Sequence, residues 1–87
     1  MTPEQGAKLD ALARCTFVPG TGAKAFVYDL VRKFARTPDA EPTQKQMDYL
    51  SFLCYRFRGQ LAAWVPAAML GQWVEEGKQT PYYRKEC

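Results

Sequence analysis

Residues 43–61 read TQKQMDYLSFLCYRFRGQL, and their pattern says more about the architecture than any other segment of the chain. The segment opens with Thr43 and Gln46, the Thr-x-x-Gln pattern of a capping box, in which the two side chains satisfy backbone N–H groups at the start of a helix. Apolar residues then recur at helical spacing. They form one stripe of Met47, Leu50, Cys54, Phe57 and Leu61, flanked by Tyr49, Phe52, Leu53 and Arg56. The segment is therefore interpreted as the central helix of a small bundle, as a recognition helix with a Tyr/Arg face, or as both.

Three more helices are predicted around this segment. Their predicted ranges are Thr2 to near Cys15, Gly22 to Arg36, and Val65-Pro66 to Gly77. Pro3 is suited to the first helical position after a capping Thr2, and Thr21 can cap the second helix. Gly77 is expected to be the C-cap of the last helix. The prolines and glycines in residues 16–22 and 37–42 exclude a continuous helix through either segment.

Helices one and three share a pattern. Thr2, Gln5, Leu9, Leu12 and Ala13 match Thr43, Gln46, Leu50, Leu53 and Cys54 at identical offsets. Each helix is followed by a Val-Pro, and an aromatic-Val pair begins seven residues after the Pro. The pattern predicts two related helix-turn-helix hairpins, unless capping boxes and leucine spacings recur by chance. The expected fold is all-α: a compact four-helix bundle in one domain, residues 1–77, with residues 78–87 as an extended tail that is either flexible or docks on a partner.

Composition limits the class of protein. The chain has 87 residues, 47% of them hydrophobic and 14% aromatic, which is too apolar for a disordered chain and small for two domains. Its formal charge of +3 permits contact with nucleic acid without requiring it. The first residues lack a signal-peptide pattern, and no apolar run approaches the roughly 20 residues that span a bilayer. The expected location is the cytoplasm, without membrane association, with Cys15 and Cys54 as small core residues.

The residues that usually carry catalysis are scarce. The chain has no His, and its three Cys are widely spaced, which disfavours a zinc framework or a disulfide framework. The Pro-Gly-Thr-Gly-Ala-Lys segment over residues 19–24 lacks the spacing of a phosphate-binding loop and favours a turn followed by a helix cap. We therefore predict no catalytic residue, metal site or cofactor, and a protein that is not an enzyme.

Basic residues collect near the predicted C-terminal ends of helices one to three. They are Arg14, Arg32, Lys33, Arg36, Arg56 and Arg58. Cations at these positions complement the helix dipole, which explains them without a ligand. Alternatively, they form an anion-binding surface, with Arg14, Arg56 and Arg58 on one rim near Tyr55 and the others on an opposite rim. We expect Tyr55 and Arg58 to be exposed, and the candidate partner-binding residues are Arg32, Lys33, Arg36, Tyr55, Arg56 and Arg58.

Glu75 and Glu76 oppose the dipole of the last helix, which indicates either a partner contact or an ion pair with a neighbouring helix.

Several strings resemble small helical proteins of bacteriophages and mobile elements. They are residues 12–20 (LARCTFVPG) with Phe26 and Leu30, residues 42–50 (PTQKQMDYL), and residues 55–61 (YRFRGQL), within a likeness that covers residues 5–61. That group includes inhibitors of host defence such as anti-CRISPR proteins, which act stoichiometrically by occupying a surface of the CRISPR effector. The resemblance implies a non-enzymatic inhibitor that docks on a host protein or ribonucleoprotein complex. It assigns no catalytic residues, and it does not extend to the segment from Trp64. The alternative is a small nucleic-acid-binding regulator.

Overall fold

The computed structural model describes residues 3–17, 22–37 and 39–86 of the chain. These residues form six helices and no strand, so the all-α prediction is confirmed. The helices are α1 (Pro3–Ala13), α2 (Gly22–Arg36), α3 (Gln44–Arg56), α4 (Arg58–Leu61), α5 (Ala67–Lys78) and α6 (Pro81–Glu86). The four longest, α1, α2, α3 and α5, correspond to the four predicted helices. The predicted caps Thr2 and Thr21 lie outside the described residues.

Helix α3 is the centre of the molecule. It packs most extensively against α5 and also contacts α1, α4 and α6, while α1 packs on α2. The capping box at its start is present: Thr43 Oγ1 accepts from the Gln46 N–H at 3.1 Å, and Gln46 Oε1 accepts from the Thr43 N–H at 3.0 Å. Its residues Leu53 and Cys54 are fully buried. The stretch that was interpreted as a core helix or a recognition helix therefore contains the core helix of this fold.

The third helix is interrupted at Phe57, two residues before Gly59, the position at which the sequence predicts that the helix ends or loosens. Phe57 separates α3 from α4, and its ring packs edge-on against that of Phe17 with centroids 5.0 Å apart. Three residues later, Gln60 forms two hydrogen bonds with the backbone of Thr16, accepting from its N–H at 2.8 Å and donating to its carbonyl at 3.0 Å. The bend thus joins the end of α3 to the segment that follows α1.

Two predictions about the C-terminal part are wrong. Gly77 is not the C-cap of α5, because α5 continues to Lys78 and Gln79 occupies that position. Gly77 instead lies against the backbone of Ser51 and the Cβ of Tyr55, so it allows α5 to approach α3 closely. Residues 81–86 are not an extended tail but the short helix α6, which packs on α3 and α5. The Thr80 hydroxyl accepts from the Tyr83 N–H at 3.4 Å, which caps the start of α6, and Pro81 occupies the first helical position.

Candidate functional site

The C-terminal end of α2 presents three of the predicted partner-binding residues together. The apolar side of α2 is buried through Ala23, Val27, Leu30 and Phe34, which directs the opposite side of the helix to solvent. Arg32, Lys33 and Arg36 are exposed and line one open depression of about 390 Å³ with Asp29 and Thr37. We call this surface the basic end of α2.

The charges of the basic end of α2 are only partly balanced. Arg32 pairs with Asp29 one turn before it, and both side chains are about 70% exposed (71% and 67%). A pair so exposed to water contributes little to stability and is easily exchanged for another partner. The ammonium of Lys33 lies 5.8 Å from the ring centroid of the neighbouring Phe34. The surface therefore offers three cations against one carboxylate to any ligand that approaches it.

The other three predicted residues lie where α3 passes into α4. The Arg58 guanidinium stacks on the Tyr55 ring, with its carbon 4.5 Å from the ring centroid, and donates to the Tyr55 carbonyl at 2.9 Å. The Tyr83 ring packs edge-on against the Tyr55 ring, with the two centroids 5.1 Å apart. Tyr55 is therefore half-buried rather than exposed as predicted, whereas Arg56 and Arg58 are exposed.

The predicted common rim of Arg14, Arg56 and Arg58 stays a prediction, and two of its residues, Arg14 and Arg58, line separate depressions. Arg14 lines a groove between α1 and the start of α5, together with Trp64 and Met69. Arg58 lines another depression, together with Gly59 and Glu75. The basic end of α2 is thus the surface on which three predicted cations line one depression.

Sequence reasoning missed the aromatic contacts of α6. Tyr82 lies 5.0 Å from Tyr49 and 5.9 Å from Phe52, centroid to centroid, and Tyr83 covers Tyr55. The aromatic face of α3 is therefore covered from within the same chain. A signal for the helix itself, though not for its contacts, is present in the sequence, because Thr80-Pro81 has the same cap-then-proline pattern as Thr2-Pro3.

Glu76, one of the two adjacent glutamates near the end of α5, forms an ion pair with Lys8 of α1. Lys8 of α1 is only 5% exposed, and its ammonium lies 3.3 Å from Glu76 of α5 and 3.9 Å from Glu4. Glu75 instead pairs with Lys78 at 3.5 Å on the surface of α5. Of the two explanations predicted for Glu76, the ion pair with a neighbouring helix is the one present in the structure.

The thiols belong to the core. Cys54 is fully buried and Cys15 is 6% exposed. Burial raises the pKa of Cys54 to about 12, since the thiolate would lose its hydration, and burial also raises the pKa of Cys15. The prediction that both are small core residues is confirmed, while Cys87 lies outside the described residues.

Searches for metal sites and membrane spans within the described ranges found neither. In residues 3–17, 22–37 and 39–86, there is no group of three or more His, Cys, Asp or Glu side chains that could hold a metal ion. Among the helices of those residues, none is long and apolar enough to cross a membrane. Comparisons with family models, with curated proteins and with solved structures found no match to this chain.

Proposed function

We propose that this protein acts by stoichiometric binding, using the basic end of α2 to dock on a host protein or ribonucleoprotein complex. In this proposal it inhibits a host defence complex, as anti-CRISPR proteins do, by occupying a surface that the complex needs. The observation that carries the binding role is the exposed group of Arg32, Lys33 and Arg36 around one depression. The resemblance of residues 5–61 to small phage and mobile-element proteins supports the class of partner.

The basic end of α2 fits an acidic surface or a phosphate backbone. Arginines form forked hydrogen bonds with carboxylates and phosphates, and Arg is one of the residue types that dominate binding energy at protein interfaces. Complementary charge also speeds association and rejects partners of like charge. Because the apolar side of α2 is buried in the core, its position is fixed before binding. The cations are thus presented from a rigid helix, which lowers the entropy cost of docking.

A second function, a small nucleic-acid-binding regulator, is favoured by the same cations. Three exposed basic side chains around one depression could contact successive phosphates, and each such contact releases a counterion. Binding would then weaken steeply as salt concentration rises. An inhibitor that recognises a folded protein surface would instead hold one complex through moderate salt and ignore free nucleic acid.

The deciding experiment captures partners with the tagged full chain from a host lysate, with and without nuclease, and measures DNA and RNA binding by the purified protein across salt concentrations. Recovery of one defence complex that is nuclease-resistant, and whose activity the protein inhibits, supports the inhibitor. Direct nucleic-acid binding with a steep salt dependence supports the regulator. Failure of both measurements refutes the binding proposal.

A matched pair of variants locates the surface. Arg36→Glu and Lys24→Glu change the net charge equally, and both positions are exposed on α2. Arg36 lies at the basic end and Lys24 in the first turn. We expect Arg36→Glu to weaken capture about tenfold or more, because losing an interfacial cation and adding a like-charge repulsion costs about 1.4 kcal/mol or more. Lys24→Glu should bind like the wild type.

A further inference from the structure

The groove between α1 and the start of α5 is an apolar surface open to solvent. Its walls hold two of the three large hydrophobic side chains that are exposed among the described residues, Trp64 at 37% and Met69 at 44%. The groove has a volume of about 250 Å³. Exposed large apolar side chains that lie together mark interaction surfaces, whereas single ones are ordinary.

The tryptophan of this groove is held in place. Its Nε1–H donates to the carbonyl of Ala11 at 3.2 Å, which ties the start of the segment before α5 to α1. A ring fixed in this way loses little conformational freedom when it is covered, so its burial by a partner is favourable. Met69, with its flexible side chain, can adapt to the shape of what covers it.

Two opposite charges lie beside the apolar walls. Asp10 lies on α1, and Arg14 directly follows the last residue of that helix, Ala13. Both side chains are exposed, and both line the groove. Among the residues that the structure describes, neither has an ion-pair partner, and they do not pair with each other. Each is therefore available to a charge supplied from outside the chain.

The order of these charges is self-complementary. If two copies of α1 lie antiparallel across a two-fold axis, Asp10 of each copy faces Arg14 of the other, and both charges are matched twice. A two-fold interface requires a surface that complements itself in this way. We propose that this groove binds a second copy of the same chain, with the two α1 helices antiparallel and the Trp64 and Met69 side chains of both copies buried between them. The proposal does not rest on the proposed function, since the basic end of α2 does not line this groove.

Charge-reversal variants test the pairing directly. Asp10→Arg makes both positions positive, and Arg14→Asp makes both negative, so each variant repels its own copy. Mixing the two variants restores both ion pairs in a heterodimer. We expect each single variant to dimerise roughly tenfold or more weakly than the wild type, because two attractive pairs become two repulsive ones. An equimolar mixture of the two should recover the wild-type affinity.

The measurement is sedimentation equilibrium of the full chain from micromolar to millimolar concentration. Glu75→Lys is the matched control, because it reverses an exposed charge of α5 that lines a different depression. It should dimerise like the wild type. Circular dichroism of each variant confirms that these surface changes leave the helices intact.

Three results would overturn the proposal. The first is a wild-type chain that is monomeric at every concentration. The second is a dimer that both single variants retain, which would place the interface elsewhere. The third is a mixture of the two variants that associates no better than either alone. A groove that instead covers a segment of another protein would give the first of these results.

Discussion

The tight contact between α5 and α3 at Gly77 predicts an unusual response to a glycine-to-alanine change. Gly77 lies inside α5, where alanine is ordinarily favoured by about 1 kcal/mol. A Cβ at position 77 would meet the carbonyl oxygen of Ser51 and lie 2.7 Å from the Cβ of Tyr55. Neither is the end of a flexible side chain, so α5 would have to move away from α3, its most extensive contact.

The expected cost follows from these opposing terms. Overpacking a tight contact costs roughly 1–3 kcal/mol, and a clash with backbone belongs at the upper end of that range. After the gain in helix propensity of about 1 kcal/mol, Gly77→Ala should lower the free energy of unfolding by about 2 kcal/mol. For a domain of this size that corresponds to a fall in Tm of roughly 10 °C.

Gly71→Ala is the control, since it lies in the same helix with no atom near the position of its Cβ. That variant should be more stable than the wild type by about 0.5–1 kcal/mol. Urea unfolding followed by circular dichroism measures both variants. If Gly77→Ala is as stable as the wild type or more stable, the close contact between α5 and α3 at Gly77 is contradicted.

Three further predictions concern the buried groups and α6. Glu76→Ala should lower the free energy of unfolding by about 1–3 kcal/mol, because it removes a carboxylate that balances the buried Lys8 ammonium; this range is reduced for the partial exposure of Glu76. Lys8→Met keeps the apolar stem and should cost less than about 1 kcal/mol, with both variants measured by urea unfolding. Because burial raises the pKa of Cys54 from its ordinary value of 9.0, the thiol contributes fully to folding stability below pH 9.0, and this contribution is lost as pH rises toward about 12. Stability should therefore fall over that window less steeply in Cys54→Ala. Replacing Tyr82 and Tyr83 together by Ala should detach α6 from α3 and speed tryptic cleavage in the C-terminal segment.

Each of these predictions has a contrary result. If Glu76→Ala and Lys8→Met lower the free energy of unfolding equally, the buried ammonium of Lys8 does not depend on the Glu76 carboxylate. Parallel stability curves for the wild type and Cys54→Ala between pH 9 and 12 would mean that the thiol is not kept from water. Unchanged cleavage after the double tyrosine substitution would mean that α6 is held by other contacts.

The sequence predicts the helices of this fold well where local signals agree. Thr43 and Gln46 act on neighbouring backbone groups, and α2 begins and ends at the predicted residues because the glycines and prolines that bound it also act locally. The predicted C-cap at Gly77 is wrong because a glycine after an apolar run can either end a helix or allow close packing. Only the distance to α3 distinguishes these two roles. The cover that α6 provides could not be predicted from spacing, since contact between Tyr82 and Tyr49 depends on how the chain turns after α5.

The candidate site was predictable only in part. Exposed cations on α2 follow from its strong apolar stripe, which fixes the side of the helix that faces solvent. Tyr55 and Arg58 lie three residues apart, so their contact was within reach of helix geometry, but the burial of Tyr55 depends on Tyr83. The groove at Trp64 combines α1 with α5, which are distant in sequence, and no local pattern joins them.

The proposed function is stoichiometric docking through the basic end of α2. Its most direct test titrates the captured host complex with the purified wild type, with Arg36→Glu and with Lys24→Glu, while the activity of the complex is followed. We expect complete inhibition at a fixed molar ratio for the wild type and for Lys24→Glu, whereas Arg36→Glu, with an affinity about tenfold or more weaker, should inhibit incompletely at that ratio. Inhibition at a small fraction of that ratio, or an Arg36→Glu titration that overlays the wild type, would contradict it.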